Sequence, residues 1–597
     1  PDAVLYQRKS GQDEQSCRRT PVIPFYWGFK ETPEATRYRR EYDQYTDRKG
    51  NRLDKRGIKQ GGPFANATTN IPDMWGPGYT TDSANKLSTP THPLKEGPPR
   101  AYMVLAAKRL AMLIQAIRIR HPHDVVNLVA HSQGTIISML AQAFLHKWGA
   151  RPADCLVMNN SPYSLVEPNV EYITEAGSRQ QTAQARVQTL IQISNAVWQK
   201  KYNTPAFAEL KDPKVHHGLC GREWGEKKTC PETGKKIEYK DRDNRGKIYL
   251  YFSPEDTTVG LLNVQGIGWQ GVPEVIPIDP ARPFNRAHNL SELGPGFKQR
   301  IFTERVRQTQ PFKVGAASEI RYVLREAKED DWPLIKSRFD EAKQTGIAVG
   351  ETRLISGEIL NPPCQVNLHC GERAAGQLPV SPLDAAVAVT NKGIEAQWEK
   401  PVPDPRPVKE RYYHPLSGEW VLKEHELKKL EDQLNAGKAA GDQREIVSAV
   451  AKRNGSIELK RKESPNEARR RWQNRTEGNS YHSAIVANPE HSRLVTAYDT
   501  ALGWADAALD RPFFDFLCLV ADWRKDLNKK EFTDTNVAKS PHFDSLLPTH
   551  KKLVEDTWVY AREGVLPKLE SVQDLPLITS ETVAQRNTSS PRGAKDK

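Results

Sequence analysis

One serine stands in a setting that suits nucleophilic catalysis. The stretch Val125–Leu140 places a short apolar run before Ser132, a tight turn around it and a helical pattern directly after it. A strand–turn–helix of this kind projects a serine hydroxyl above the edge of a sheet, in a strained backbone conformation. The helix N-terminus then directs N–H groups at a developing oxyanion, and the backbone N–H of Gln133 is the first candidate donor. We therefore predict Ser132 as a nucleophile.

The turn has the pattern Ala-x-Ser-x-Gly, with Ala130 where such elbows usually carry glycine. We interpret Ala130 and Gly134 as small residues that let the strand and the helix approach closely. An ordinary strand–helix turn is the alternative. The apolar flanks on both sides favour the nucleophile elbow.

A serine hydroxyl needs a general base and an acid that orients the base, and after such an elbow the chain order is serine, acid, histidine. The loop that follows the apolar run Lys247–Phe252 offers Asp256, with the adjacent Glu255 as the alternative. Further on, His482 stands in a polar turn before an apolar helical run, and His491 is the second candidate. We predict Asp256 as the acid and His482 as the base.

Helices and strands alternate around these residues. Apolar spacing predicts helices and short apolar runs predict strands. The predicted helices are Arg100–Arg120, Gly134 to about Trp148, 180–200 and Lys423–Leu434, and the predicted strands are Val22–Trp27, Val125–Ala130, Leu156–Met158 and Lys247–Phe252. This alternation predicts an α/β fold with a parallel sheet.

The spacing between the candidate acid and base predicts an inserted domain. His482 follows Asp256 by 226 residues, far more than one loop needs. We predict a hydrolase core over 1–290, an inserted cap-like α+β domain over 291–475, a return to the core over 476–578 and a polar tail over 579–597. Inserted caps commonly cover such sites and select substrates.

The chain has 597 residues and a formal net charge of +13. It contains no apolar run of membrane-spanning length, and we find no signal peptide. The positive charge, which includes the basic run Lys460–Arg475, suits an anionic membrane surface, nucleic acid or an acidic partner. No recognised nucleic-acid motif is present, so we expect peripheral contact with anionic lipid and no nucleic acid. A basic membrane-binding protein without catalysis remains the second class of function.

The seven cysteines leave at least one thiol outside any intrachain disulfide. Two pairs stand close enough for short loop disulfides, Cys220 with Cys230 and Cys364 with Cys370. A zinc site is the alternative for one loop, although its spacing fits no common pattern, and its four ligands would be His216, His217, Cys220 and Cys230. We predict no metal and no cofactor.

Three motifs carry a family resemblance. Ala130-His-Ser-Gln-Gly-Thr resembles the elbow of α/β-hydrolase lipases. Two further regions are similar to antibacterial lipase effectors of the bacterial type VI secretion system, in particular to their third family: Val264-Gln-Gly-Ile-Gly-Trp-Gln-Gly-Val-Pro, and Tyr481-His-Ser-Ala-Ile-Val-Ala-Asn-Pro-Glu-His with Tyr498-Asp-Thr-Ala-Leu-Gly. The resemblance covers most of the chain and is weakest in the predicted insertion.

The resemblance implies an α/β-hydrolase fold and a phospholipase that acts on membrane phospholipids. It implies passage from the donor cytoplasm into the periplasm of a rival cell, and three protein partners: a cognate immunity protein, a secretion spike protein and an adaptor. By motif, Ser132, Asp256 and His482 take the triad roles. An acyltransferase or thioesterase would share the chemistry up to the acyl-enzyme, so these activities stay open.

One feature departs from the family pattern. Such lipases usually carry a His-Gly motif after an early strand, and that loop supplies the second oxyanion donor. The early apolar run here reads Phe25-Tyr-Trp-Gly. We therefore expect that the family's N-terminal strands are missing from this chain, and the second donor has no candidate in the sequence.

Overall fold

The architecture is taken from a computed structural model of the chain. It describes residues 22–580 except for the following segments: 40–42, 62–65, 67, 81–95, 168–179, 203–205, 207–227, 230–235, 238–241, 257, 261–263, 277–286, 308, 317–318, 325–350, 361, 369–394, 400, 404–411, 415–418, 422–423, 438–444, 453–455, 469–480 and 524–539.

A four-stranded parallel sheet forms the centre of the molecule. Its strands are β1 (Asn127–His131), β2 (Cys155–Asn159), β3 (Lys247–Phe252) and β4 (Phe297–Ile301). They lie side by side in the order β4-β3-β2-β1, and all three pairings are parallel. Strands β2 and β3 are almost entirely buried, as expected for strands covered on both faces.

The strand register brings the carboxyl ends of the strands together at one edge of the sheet. The Ser132 N–H, just after β1, donates to the Asn159 carbonyl at 2.9 Å, and the Asn160 N–H, just after β2, donates to the Tyr251 carbonyl at 3.0 Å. Loops that leave these strands therefore start next to one another. In sheets of this kind, ligands bind at this edge.

Helices pack on the sheet through apolar faces. The longer ones are α1 (Tyr102–Arg120), α2 (Gln133–Lys147), α3 (Ala183–Gln199), α4 (Arg511–Ala521) and α5 (Pro548–Glu563). Met103 and Ile114 of α1 are buried in one cluster with Ile136 and Leu140 of α2, and Ile117 is buried in a second cluster with residues of α4. On the other face, residues of β2–β4 pack against short elements from 312 to 368 and from 481 to 501.

The remaining described strands form antiparallel pairs and two small antiparallel sheets. They are Gly28–Lys30 with Ile58–Gln60; Arg37–Arg39, Gln44–Thr46 and Arg52–Leu53; Lys228–Thr229 with Lys236–Ile237; Val275–Ile276 with His288–Asn289; Val306–Arg307 with Gln310–Pro311; Lys313–Val314 with Cys364–Gln365; Ile320–Val323 with Thr352–Ile355; Tyr412–His414 with Glu419–Val421; and the sheet of Ala396–Trp398, Val402–Pro403, Ile446–Ala451 and Ser456–Lys462.

Helix Glu424–Asn435 and shorter helical segments complete the described elements. The shorter segments are Pro33–Ala35, Pro72–Trp75, Ile267–Gln270, Leu290–Leu293, Ala484–Ala487, Pro489–His491, Ser492–Thr496, Ala497–Asp499, Asp506–Leu509, Pro541–Asp544 and Val572–Asp574.

Most predicted elements are confirmed to within three residues, and the coarse α/β class is correct. The predicted strand at Val22–Trp27 is wrong: the strand here is Gly28–Lys30, and the Tyr26 N–H donates to the Ala521 carbonyl of α4 instead of to a strand. The sheet also continues past residue 290, the end predicted for the core, because β4 lies at Phe297–Ile301.

Strand β1 has a strand neighbour on one side only within the described part of the chain. The segment 501–504 covers its beginning, where the Val125 N–H donates to the Trp504 carbonyl. Val129, further along β1, is 55% exposed.

Among the described residues, no helix is both long and apolar enough to cross a membrane.

Candidate active site

Ser132 lies at the junction of β1 and α2 in a strained conformation. Its backbone angles are φ 52° and ψ −131°, a region that residues with a Cβ rarely adopt and that costs on the order of 1–3 kcal/mol. The hydrogen bond from the Ser132 N–H to the Asn159 carbonyl ties this turn to the end of the neighbouring strand β2. A strained serine between a strand and a helix is the geometry predicted for the nucleophile elbow.

The predicted reason for Gly134 needs correction. A Cβ added to Gly134 would meet only Trp27 Nε1 among the described atoms, at an ordinary contact distance of 3.8 Å. Close approach of β1 and α2 therefore does not require glycine at this position. The tight approach at this edge is at Gly268, where a Cβ would lie 2.0 Å from the Ser161 nitrogen and 2.2 Å from the Asn160 carbonyl carbon.

Ser132, His482 and Asp256 form one hydrogen-bonded chain. His482 Nε2 lies 2.7 Å from Ser132 Oγ, and His482 Nδ1 lies 2.8 Å from Asp256 Oδ2. A carboxylate oxygen only accepts, so Nδ1 carries the proton and Nε2 is the acceptor that can take the serine proton. Asp256 is fully buried and His482 keeps a little exposure. The three predicted residues thus meet although 350 residues separate Ser132 from His482.

Backbone and amide donors hold the carboxylate of Asp256. Its Oδ1 accepts the N–H groups of Thr258 at 2.9 Å and Val259 at 3.1 Å. Its Oδ2 accepts Asn160 Nδ2 at 2.8 Å as well as His482. Donors on both oxygens fix the orientation of the carboxylate plane.

Asn160 is a fourth residue of the site that the motifs do not indicate. It is buried and has φ 50°, a left-handed conformation that asparagine tolerates better than most residues. One sequence signal could have identified Asn160. It directly follows the apolar strand β2, at the edge of the sheet where parallel strands end and ligands bind.

The alternative acid, Glu255, makes different contacts. Its Oε1 accepts Thr303 Oγ1 at 2.7 Å and lies 3.3 Å from Arg305 Nε, and its Oε2 accepts Ser253 Oγ at 3.1 Å. Burial raises the pKa of Glu255 above its ordinary value. The structure therefore brings Asp256 to His482 and leaves Glu255 in a separate cluster of hydrogen bonds.

The alternative base, His491, is also occupied elsewhere. Its Nε2 accepts the Asn367 N–H at 3.2 Å, and its ring packs edge-on against Phe302 with centroids 5.1 Å apart. Burial lowers its pKa to about 4. His491 thus joins the segment after His482 to the backbone at Asn367, just after the strand Cys364–Gln365, and is not brought to Ser132.

Gln133 begins α2 with its carboxamide anchored. Its Oε1 accepts the Thr68 N–H at 2.9 Å, and the side chain is buried. The first N–H groups of a helix have no partner within the helix and carry its positive dipole end. The backbone N–H of Gln133 therefore stands at the N-terminus of α2 directly after Ser132, and its role as the first oxyanion donor stays a prediction.

Several other predicted features lie outside the described residues. They include Cys370 and the whole candidate zinc set of His216, His217, Cys220 and Cys230. The thiol of Cys364 is buried and contacts the Gln365 carbonyl at 3.4 Å.

In the described part of the basic run Lys460–Arg475, Arg461 pairs with Glu399 and Glu467, and Lys462 pairs with Glu445. The ammonium group of Lys460 lies over the Trp398 ring.

The chain matches two models of one protein family. Residues 1–273 match the T6SS Tle3 phospholipase effector domain, and residues 419–588 match the C-terminal domain of the antibacterial effector protein Tle3. The chain is also 36% identical over 628 aligned residues to the antibacterial effector protein Tle3 of Pseudomonas aeruginosa PAO1, an alignment that covers 98% of this chain and 85% of the relative. The resemblance read from the motifs is thereby confirmed, and the chain belongs to the Tle3 family of antibacterial type VI secretion phospholipase effectors.

Proposed function

We propose that this chain is a serine phospholipase of α/β-hydrolase fold that cleaves acyl esters of membrane phospholipids. The observation that carries the proposal is the hydrogen-bonded chain from Ser132 Oγ through the His482 ring to Asp256 Oδ2. A nucleophile, its base and an orienting carboxylate in this order are what acyl transfer through serine needs.

The reaction starts when His482 Nε2 removes the Ser132 proton as Oγ attacks the acyl carbonyl. The oxygen of the tetrahedral intermediate becomes negative and accepts a hydrogen bond from the Gln133 N–H at the N-terminus of α2. Asp256 keeps the proton on Nδ1 before the attack and stabilises the imidazolium that forms. His482 then gives its proton to the leaving alkoxide of the lysophospholipid, and water hydrolyses the acyl-enzyme with His482 as base.

The strain at Ser132 supports the catalytic assignment. A left-handed serine costs free energy in the folded protein, and such conformations are concentrated at functional sites. Here the cost is offset by packing and by the Asn159 hydrogen bond, and it holds Oγ in line with His482. The ring needs no rearrangement to accept the proton.

The cellular setting follows from the family. We propose that the effector reaches the periplasm of the target cell and acts on its membrane lipids there. A cognate immunity protein would protect the producing cell, and a secretion spike protein with an adaptor would carry the effector. The net charge of +13 supports peripheral contact with an anionic bilayer, since it raises the encounter rate with negative surfaces.

The deciding experiment follows the products of defined phospholipids presented in vesicles. The wild-type chain releases free fatty acid and lysophospholipid in equal amounts, and Ser132→Ala releases neither. Ser545→Ala, at an exposed serine of a short helix, is the matched control and keeps full activity. Hydrolysis by Ser132→Ala at the wild-type rate would overturn the mechanism. Transfer of the acyl group to an added alcohol or thiol instead of water would identify an acyltransferase.

A second assay tests the membrane contact. Binding to vesicles with and without anionic lipid is measured at several salt concentrations, using Ser132→Ala so that the vesicles stay intact. Electrostatic contact predicts tighter binding to anionic vesicles and weakening as salt rises. Binding that ignores both variables would remove this part of the proposal.

A further inference from the structure

His131, the residue just before Ser132, contacts the proposed base directly. Its Nε2 lies 2.7 Å from the backbone oxygen of His482, and the two imidazole rings lie 4.7 Å apart at an angle of 46°. A carbonyl oxygen only accepts, so His131 carries its proton on Nε2 and donates it. The residue that precedes the nucleophile therefore holds the backbone of the residue that activates it.

The loop that carries His482 needs such an anchor. Tyr481 has φ 55°, a left-handed conformation that is unfavourable for an aromatic residue. The Tyr481 side chain packs against the buried apolar residues of β2–β4, and the Tyr481 carbonyl accepts the Ala484 N–H at 3.3 Å. Strain of this kind persists only where the surroundings fix the conformation, and the bond from His131 fixes the next carbonyl along.

The electrostatics of His131 suit a residue beside a base. Burial and the charge of the neighbouring His482 lower the pKa of His131 to about 4, against smaller opposing effects of its hydrogen bond to the His482 carbonyl and of Asp256. His131 is therefore neutral near neutral pH. A neutral ring lets His482 become imidazolium during the reaction without a second positive charge 4.7 Å away.

We propose that His131 is a positioning residue for ester hydrolysis, which holds the His482 carbonyl so that His482 Nε2 stays aligned with Ser132 Oγ. This inference rests on the proposed function. Loss of the anchor would let His482 move relative to Ser132, and a misplacement of about 1 Å can cost roughly 100-fold in rate. We expect the effect on kcat, because the alignment of His482 with Ser132 governs the chemical step.

Two substitutions separate the hydrogen bond from the ring. His131→Phe keeps an aromatic ring beside His482 and removes the donor, and we expect kcat to fall by about 10- to 100-fold with little change in KM. The rate of labelling by a fluorophosphonate ester should fall by a similar factor. His131→Gln restores an N–H donor and should recover most of the loss.

His550 offers a matched control away from the site. It is also buried, its Nε2 bonds Gln115 Oε1 at 2.9 Å, and its ring packs on Trp148. Burial lowers its pKa to about 4 as well. His550→Phe should lower the melting temperature as His131→Phe does and leave the kcat of the folded protein unchanged.

A measurement on the unmodified chain covers the case in which His131→Phe does not fold. Nitrogen NMR of histidine-labelled protein, assigned with His131→Gln, should show the proton of His131 on Nε2 and no titration above pH 5. A proton on Nδ1 would overturn the proposal. So would wild-type kcat in folded His131→Phe, or an equal loss in His550→Phe. Activity in Ser132→Ala would instead overturn the proposed function.

Discussion

Asn160 donates its side-chain N–H to Asp256 Oδ2 at 2.8 Å, and His482 Nδ1 binds the same oxygen at 2.8 Å. The amide and the imidazole therefore share one carboxylate oxygen, and the backbone donors of Thr258 and Val259 occupy the other. Asn160 also fills a left-handed position directly after β2. One side chain thus ties the carboxyl end of β2 to the loop after β3.

Replacement of Asn160 should leave the carboxylate of Asp256 less firmly positioned against His482. A hydrogen bond to a charged group contributes about 1.5–3 kcal/mol, so we expect Asn160→Ala to lower kcat by roughly tenfold and to destabilise the fold. Asn160→Asp places a second carboxylate beside Asp256 and should be more harmful. Steady-state hydrolysis of a soluble ester measures kcat. The neighbour Asn159, whose Nδ2 binds the Ala130 carbonyl, is the control, and Asn159→Ala should affect stability more than kcat.

The sequence motifs locate the three main residues of the site because each stands at the end of a recognisable element. Ser132 ends an apolar strand, Asp256 follows another, and parallel strands place their carboxyl ends at one edge. Chain order then selects His482 over the earlier histidines. The α/β alternation follows from the same apolar runs.

The remaining features depend on tertiary contacts that no local pattern encodes. The roles of Asn160 and His131 come from one hydrogen bond each to residues far along the chain. Many outer strands are only two or three residues long, too short for a period-2 pattern. The run Val22–Trp27 is apolar like a strand, yet it packs against α1 and α4, where Arg109 Nη1 binds the Tyr26 carbonyl.

The adjacent carboxylates Asp256 and Glu255 allow a paired test. Asp256→Asn keeps the shape but favours the wrong histidine tautomer, so we expect kcat to fall by about 10³- to 10⁴-fold. Glu255→Gln removes a charge next to Arg305 and should change kcat by less than about threefold. Both rates are measured on the same vesicle substrate after folding is verified by circular dichroism. A larger loss of kcat in Glu255→Gln than in Asp256→Asn would show that Glu255, and not Asp256, is the acid that orients His482.

A buried ionic cluster fastens the segment that carries His482 to the sheet. Asp499 is fully buried and binds Arg300 of β4, the Tyr251 hydroxyl of β3 at 2.5 Å and Arg242 Nη2 at 3.2 Å. Burial lowers the pKa of Arg300, but the Coulombic attraction and the hydrogen bonds of Asp499, with smaller effects of two tyrosines, together outweigh burial and hold this pKa above its ordinary value. Removal of the carboxylate would leave a buried guanidinium without its compensating charge.

Asp499→Asn should therefore cost about 3–5 kcal/mol of unfolding free energy. Urea denaturation followed by tryptophan fluorescence measures the change. Asp510→Asn serves as the control, because Asp510 pairs with the partly exposed Arg120 and such pairs contribute at most about 1 kcal/mol. Equal losses in the two variants would show that the buried cluster is not the anchor.

His491, with its ring neutral, links the same segment to the backbone N–H of Asn367. Burial lowers its pKa from an ordinary value near 6.5 to about 4. Between these two values the unfolded chain binds a proton at this position and the folded chain does not. The stability contributed by the neutral ring is therefore complete above pH 6.5 and falls as the pH is lowered toward 4.

His491→Gln should reduce the acid sensitivity of the fold. Glutamine can still accept the Asn367 N–H through its Oε1 but does not titrate. The free energy of unfolding, measured in urea from pH 8 to 4.5, should fall less steeply in the variant below pH 6.5, by up to one proton or about 1.4 kcal/mol per pH unit. Above pH 7.5 the unfolding free energies of the two proteins should change with pH in parallel. A constant difference between them there reports the packing lost with the ring, and a difference in slope below pH 6.5 reports the lost titration of His491. Identical slopes below pH 6.5 would mean that His491 takes up a proton in the folded chain as readily as in the unfolded one.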